Sequence, residues 1–339
     1  MYDIAIIGAG INGSSVAYEM LHAGKKVIIF DGNGIAHGGS GAAGAFISPK
    51  FSKSGELKEL IDKAFLYSMQ FYEKKFPQLL TKAPLQHISK EGEKFPLIDA
   101  GIVNAQAMCN ALCKGAKFIN KDVEDIYYED NQWIINETYS AKKVILSTGA
   151  YKAVIKEPYV ELRGVWGHRI DVKTSTINDK SIHQFVSISP SKDGIVAIGA
   201  THNLDYHPQT SKEPYDMGDG RLELLEKASR TIELKDVEVI KDYTGLRSGS
   251  FDYMPLVGSL VLADETLVCC ERKVKVKKAN YEDFVYYPNL YMINGNGGYG
   301  FVLAPYLANI LTENILSGKK IEDKISPARF FHRWAKRKK

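Results

Sequence analysis

With 339 residues, 45% hydrophobic and 25% charged, the chain has the composition of a globular protein and room for about two domains. Its net charge of +4 neither demands nor excludes a nucleic-acid partner. No apolar run approaches the roughly 18 residues of a membrane span, and no basic leader precedes the first apolar run, so neither a membrane helix nor a signal peptide is expected. The four cysteines, Cys109, Cys113, Cys269 and Cys270, lack CxxC spacing and neighbouring histidines. They predict a reduced, cytoplasmic protein with no metal centre and no disulfide framework.

Residues 2–7 form a short apolar run followed at once by Gly8, Gly10 and Gly13. Val16, Ala17, Met20 and Leu21 then recur at helical spacing, and residues 26–30 form a second apolar run ending in Asp31. Strand, glycine turn, helix, strand and acid follow in the order of a dinucleotide-binding βαβ unit. Gly8 permits the tight turn, Gly10 lets the backbone approach a pyrophosphate, and Gly13 lets the helix sit close to the strand. The N–H groups of Ile11 and Asn12 open the helix and face the phosphates. Asp31 is placed to accept from a ribose 2′-hydroxyl and disfavours a 2′-phosphate there, which argues against NADP. The choice between NAD and FAD is open on these residues alone.

Next comes a segment poor in side chains, Gly38-Gly39-Ser40-Gly41-Ala42-Ala43-Gly44-Ala45-Phe46. It reads as backbone pressed against something flat, such as a planar ring. Residues 56–76 give the most legible helix, with Leu57, Leu60, Ile61, Ala64, Phe65, Phe71 and Tyr72 on one face and Pro77 as its stop. Asn104 reads as the N-cap of a helix through residue 116. Strands follow within 118–135, turning at Glu129-Asp130-Asn131, and a buried strand at 143–146 runs into the small-residue turn Ser147-Thr148-Gly149-Ala150. The turn places Thr148 and Gly149 near a phosphate or ribose. Residues 165–172, 183–188 and 195–199 read as strands, with a hairpin turn at 191–194, then a helix at 221–232 and a strand near 237–243. Arg272-Lys273-Val274-Lys275-Val276-Lys277-Lys278 alternates as an exposed strand would. A strand at 290–293 leads into Gly297, Gly298, Tyr299 and Gly300, and a helix from Phe301 to about residue 316 closes at Gly318. This second glycine turn feeding a helix N-terminus favours an anion distinct from the first pyrophosphate.

Four segments together resemble the FAD-dependent amine oxidase superfamily of glycine oxidase, sarcosine oxidase and D-amino acid oxidase. They are Ile7 through Gly13, Ser40 through Phe46, Gly245-Leu246-Arg247 through Asp252 with Pro255 and Gly258, and Gly297 through Pro305. The resemblance implies an α/β, D-amino acid oxidase-like fold, a Rossmann-type FAD-binding domain carrying an inserted mixed-sheet α+β substrate domain. The FAD-binding domain is expected at 1–80, 104–160 and 285–339, and the substrate domain at 81–103 and 161–284. FAD is expected to bind noncovalently, with Val123 among its contacts.

Within that superfamily the chain resembles the oxidase half of the MnmC tRNA-modification family, through Ser40-Gly41, residues 45–50, the helix behind them and the tail Ser326-Pro327-Ala328-Arg329. Tyr299 stands where that family usually has an arginine. The resemblance implies oxidation of a carboxymethylaminomethyl group on a wobble uridine to the aminomethyl form, with glyoxylate released and dioxygen as electron acceptor. Transfer RNA is the implied substrate, and a separate tRNA methyltransferase an implied partner. Arg247 falls where related oxidases grip the substrate carboxylate. Lys50 is a candidate for assisting oxygen or tuning the ring, and Tyr253 and His168 are candidates for lining the pocket. RNA contact is expected at 272–278 and at the tail residues Arg329, Arg333, Lys336, Arg337, Lys338 and Lys339. The competing readings are an oxidase of free glycine, sarcosine or D-amino acids, and a flavin- or NAD-binding protein without activity.

Overall fold

The computed structural model describes residues 1–151, 153–275 and 278–338. Two eight-stranded sheets organise it. The first sheet runs in the order Leu256–Val261, Tyr286–Asn294, Tyr139–Leu146, Tyr2–Ile7, Val27–Phe30, Lys117–Ile119. All neighbours in that row pair in parallel except the first two, and a hairpin of Ile126–Glu129 and Gln132–Ile135 joins Tyr139–Leu146. Ile4 and Ile6 are buried in one core and Ala5 and Ile7 in another, so the strand is covered on both faces. Covering on both faces is why it reads as a continuous apolar run rather than an alternating one.

The helices Ile11–His22 and Gly300–Ser317 lie side by side on one face, backed by Glu56–Lys75. Gly13 is what lets the first sit so close: a Cβ there would lie 2.0 Å from the Gly8 carbonyl oxygen. Glu56–Lys75 buries Leu60, Ile61, Ala64, Ser68 and Tyr72 on the expected face and ends ahead of Pro77. Asn104 caps the helix Ala105–Leu112, accepting from the Ala107 N–H at 3.0 Å. That helix stops short of residue 116 because the chain turns into Gly115, at φ +103°.

The second sheet runs Glu238–Ser250, Leu162–Lys173, Ile195–Gly199, Ser187–Ile188, Ser181–His183, Leu80–His87, Ile98–Val103, Phe46–Ile47. Its back is covered by the helix Met217–Ser229, whose Leu224 and Ala228 enter a core with Ile170, Val172 and Ile198. Phe46–Ile47 lies within the 1–80 span assigned above to the FAD domain, and Leu256–Val261 of the first sheet lies within 161–284.

Three local expectations are corrected. Residues 183–188 are not one strand: Ser181–His183 and Ser187–Ile188 pair antiparallel, with the Gln184 N–H on the Val186 carbonyl between them. The strand near 237–243 continues to Ser250, because Gly245 is a packing residue rather than a breaker. The basic run at 272–278 is no strand, since a helix spans Ala263–Lys275 with acidic Asp264 and Glu265 in its first turn. Val274 is buried in a core, and Lys273 pairs with Asp283 at 2.5 Å. Val276 and Lys277 lie outside the described residues, as does Lys339.

Candidate active site

A cleft of 640 Å³ separates the two sheets, and both glycine turns open onto it. At the first turn, Gly8 has φ +103°, and a Cβ there would stand 2.4 Å from the Ser147 carbonyl oxygen. Gly10, Ile11 and Asn12 face the cleft, and the Ile11 N–H donates to the Ser40 hydroxyl at 2.9 Å. Asp31 accepts from the Ala9 N–H at 2.8 Å and the Asn33 N–H at 3.0 Å, which fixes its carboxylate at the cleft wall with acceptor capacity to spare. Thr148 and Gly149 line the same end. Val123 borders a 110 Å³ annex that shares Gly8, Asp31 and Thr148 with the main cleft.

Gly39, Ser40, Ala42, Ala43, Gly44 and Ala45 line the middle of the cleft, but packing within the protein accounts for their small size. A Cβ on Gly39 would lie 2.5 Å from the Leu246 carbonyl oxygen, and one on Gly245 would lie 2.9 Å from Gly39 Cα. Gly41 lies off the cleft, against the Ala36 carbonyl oxygen. Gly13 is likewise a packing residue outside the lining. Gly39 thus packs on the strand Glu238–Ser250, while the strip as a whole also faces the cleft.

Gly297, Gly298, Tyr299, Gly300 and Phe301 form the second turn, and at Gly297 and Gly298 no atom lies within 4 Å of where a Cβ would stand. The Asn296 amide donates to the Asn12 side chain at 2.6 Å, tying the second turn to the first. The Thr148 hydroxyl and the Asn296 side-chain carbonyl are buried without a partner among the described residues. Unpaired buried polar atoms call for a ligand or water. Two helix N-termini, an acid at the far end, open glycines and orphaned polar atoms together fit an elongated dinucleotide with a flat head, as FAD is.

The roof of the cleft is the strand Leu162–Lys173. Arg163, Val165, Gly167 and Arg169 line it at period two, while Trp166, His168 and Ile170 point the other way. His168 is thus not a pocket residue: it is fully buried behind the sheet, with Nε2 2.9 Å from Asp242. Arg247, opposite Val165 in the paired strand, occupies the space that Gly167 leaves, since a Cβ on Gly167 would lie 2.5 Å from Nη2. Its Nη1 donates to the Thr201 carbonyl at 2.9 Å, and burial lowers the pKa of its guanidinium. Among the described residues no carboxylate pairs with it, so a desolvated cation faces the cleft uncompensated.

Lys50 does not line the cleft, although its ammonium sits 5.3 Å from the ring centroid of Tyr299, which does. Burial and the Asp62 carboxylate raise the Tyr299 phenol, which stays protonated. Tyr253 stands at the mouth, 66% exposed. Arg329 is not open to a partner. It binds Asp252 through two nitrogens at 2.8 and 2.9 Å and donates to the Met254, Pro255 and Ser326 carbonyls. Arg337 pairs with Glu161 and Lys338 with Asp264. Sequence reading overlooked Arg163, Arg169, His183 and His202, all in the lining. The signal for the first two was the R-V-G-R alternation at 163, 165, 167 and 169. Burial and the nearby Arg247 lower His202, keeping its imidazole neutral.

The chain belongs to the FAD dependent oxidoreductase family, whose profile matches residues 3–87 and 78–314. It is an FAD-dependent oxidoreductase, and FAD is its cofactor. The tRNA 5-methylaminomethyl-2-thiouridine biosynthesis bifunctional protein MnmC of Legionella pneumophila (strain Corby) is 24% identical over 97% of this chain and 57% of its own length. Glycine oxidase of Bacillus licheniformis is 23% identical over 76% of this chain and 84% of its own length. The crystal structure of glycine oxidase from Bacillus cereus ATCC 14579 superposes with a TM-score of 0.73 at 18% identity, covering 94% of this chain and 96% of that one. The chain thus spans little more than half the length of the MnmC proteins it matches. Among the described residues no helix is long and apolar enough to cross a membrane, and no cluster of His, Cys, Asp and Glu could hold a metal ion.

Proposed function

We propose that this chain oxidises the C–N bond of a carboxymethylamino group, and that the group is carried by 5-carboxymethylaminomethyl(-2-thio)uridine at the wobble position of a tRNA, leaving the aminomethyl form. The observation that carries the reading is Arg247, a half-buried guanidinium facing the cleft with no carboxylate partner among the described residues. A guanidinium fork matches a carboxylate through two parallel hydrogen bonds, which fixes where the neighbouring C–H points. Residues of both glycine turns, with Asp31, Ser40 and Thr148, would hold FAD. The chemistry a bound flavin supplies is two-electron oxidation at the carbon beside nitrogen.

The chain's own groups do the rest. Arg247 orients the acid, and neutral His202 beside it adds no competing charge. The N-terminus of the helix Gly300–Ser317 favours negative charge on whatever group lies against it. Dioxygen is the proposed electron acceptor, and a separate tRNA methyltransferase would consume the aminomethyl product. The MnmC relatives support the RNA assignment through a match along 97% of this chain. A second reading, oxidation of free glycine or sarcosine, draws on the glycine oxidase relative, of which 84% is matched.

Nucleoside mass spectrometry of cells lacking the gene tests both. Accumulation of the carboxymethylaminomethyl base supports the first reading. An unchanged nucleoside profile, with peroxide formed from free glycine or sarcosine by the purified holoenzyme, replaces it with the second.

A further inference from the structure

Four of the cations expected to meet RNA, Arg329, Arg337, Lys338 and Lys273, are instead engaged in ion pairs. Two arginines without an ion pair among the described residues, Arg163 and the tail residue Arg333, stand by the cleft mouth. Phe251 is 44% exposed and Tyr253 66% exposed, on either side of a turn that Asp252 holds rigid. The Asp252 carboxylate accepts from the Ser250 hydroxyl, the Met254 N–H and Arg329 at once. Tyr253 sits at φ +65°, a backbone conformation rare for a bulky residue, which leaves its ring outside the core. The Arg333 guanidinium lies 3.7 Å from the Phe251 ring centroid. Arg163 is exposed and pairs through its backbone with Gly249, immediately before the turn. Among the described residues neither arginine has a carboxylate partner.

Two exposed rings on a rigid turn, flanked by two unpaired guanidiniums, suit flat bases on an anionic backbone. We propose that Phe251, Tyr253, Arg333 and Arg163 form a stacking platform for the unpaired nucleotides flanking the one whose side group enters the cleft. The inference rests on the reading of the substrate as a tRNA and adds which surface receives the loop. The arginines supply charge where a phosphate backbone passes the rim.

The test is fluorescence anisotropy of a labelled anticodon stem–loop RNA with a wobble uridine, titrated with holoenzyme. Y253A and F251A are each expected to weaken binding roughly 5- to 150-fold, the range of one base–aromatic stack, while Y253F retains it. R333Q is expected to make the salt dependence shallower by about one phosphate contact. Flavin content equal to wild type establishes that each variant is folded. The platform is overturned if wild type binds the loop and both alanine variants bind it equally well, or if a loop-free duplex binds as tightly as the stem–loop. Failure of wild-type holoenzyme to bind the RNA at all overturns both the platform and the tRNA reading, an outcome separable from the first.

Discussion

The Tyr72 hydroxyl donates to the Phe301 carbonyl at 2.8 Å, the one carbonyl in its helix that Pro305 leaves without an N–H donor. Four residues after Phe301, proline interrupts the ladder of the helix Gly300–Ser317, and a fully buried phenol from Glu56–Lys75 repairs it. The Ser68 hydroxyl adds a second bond, to the Val302 carbonyl at 2.7 Å. The first turn of the helix behind the second glycine loop is therefore fixed from outside the helix. Y72F leaves the Phe301 carbonyl buried and unpaired, at a cost of about 1–3 kcal/mol. The urea midpoint should fall accordingly, and an unchanged midpoint would mean that water or a local shift satisfies the carbonyl.

Arg247 carries the functional reading, and R247K tests it more sharply than R247A. Lysine keeps the charge but loses the fork, so about 1.5–3 kcal/mol of charge-assisted bonding goes, or roughly 10- to 150-fold in kcat/KM. The flavin spectrum should be unaltered, since the side chain reaches Thr201 and the cleft rather than either glycine turn. Equal kcat/KM in R247K and wild type would remove the carboxylate from this position.

Glycines that look alike in sequence divide into two kinds. Gly39 and Gly245 face each other across closely packed backbones: a Cβ on Gly39 would lie 2.5 Å from the Leu246 carbonyl oxygen, and one on Gly245 would lie 2.9 Å from Gly39 Cα and Ala42 Cβ. Alanine at either position should cost about 1–3 kcal/mol of stability through overpacking. Gly298 has nothing within 4 Å, so G298A should leave the thermal stability of the flavin-free protein unchanged. If a flavin lies against that turn, G298A weakens flavin retention alone, as read by absorbance after gel filtration. Equal flavin content in G298A and wild type would place the ring elsewhere.

What was legible in the sequence follows from how local the signal is. The βαβ unit, the Glu56–Lys75 face and the Asn104 cap each depend on neighbours a few residues apart, and each stands where expected, near enough. The strand through Gly245 and Gly249 was hidden, because glycine reads as a breaker until its partner at Gly39 is known. Lys-Val alternation at 272–278 looked like a strand because period two outweighed the acidic helix start at Asp264 and Glu265. His168 and Arg169 are adjacent in sequence, yet only the pairing of their strand decides which of them faces the cleft.

His183 marks the last prediction, one of pH. Burial first, and then the neighbouring His87, push its imidazole down to about 4. The two lie in register on adjacent parallel strands, and the Phe51 ring stacks on His87 at 4.1 Å. A depressed folded pKa means that the unfolded chain takes up this proton first as pH falls. The stability contributed by neutral His183 is therefore complete above about pH 6.5, the unfolded value, and is lost progressively down to about pH 4. H183Q removes the proton while keeping a polar side chain, so its urea midpoint should fall less steeply across that window than wild type. Parallel curves for the two proteins would show that His183 titrates alike in the folded and unfolded chain, and would remove it as the source of acid sensitivity at the cleft wall.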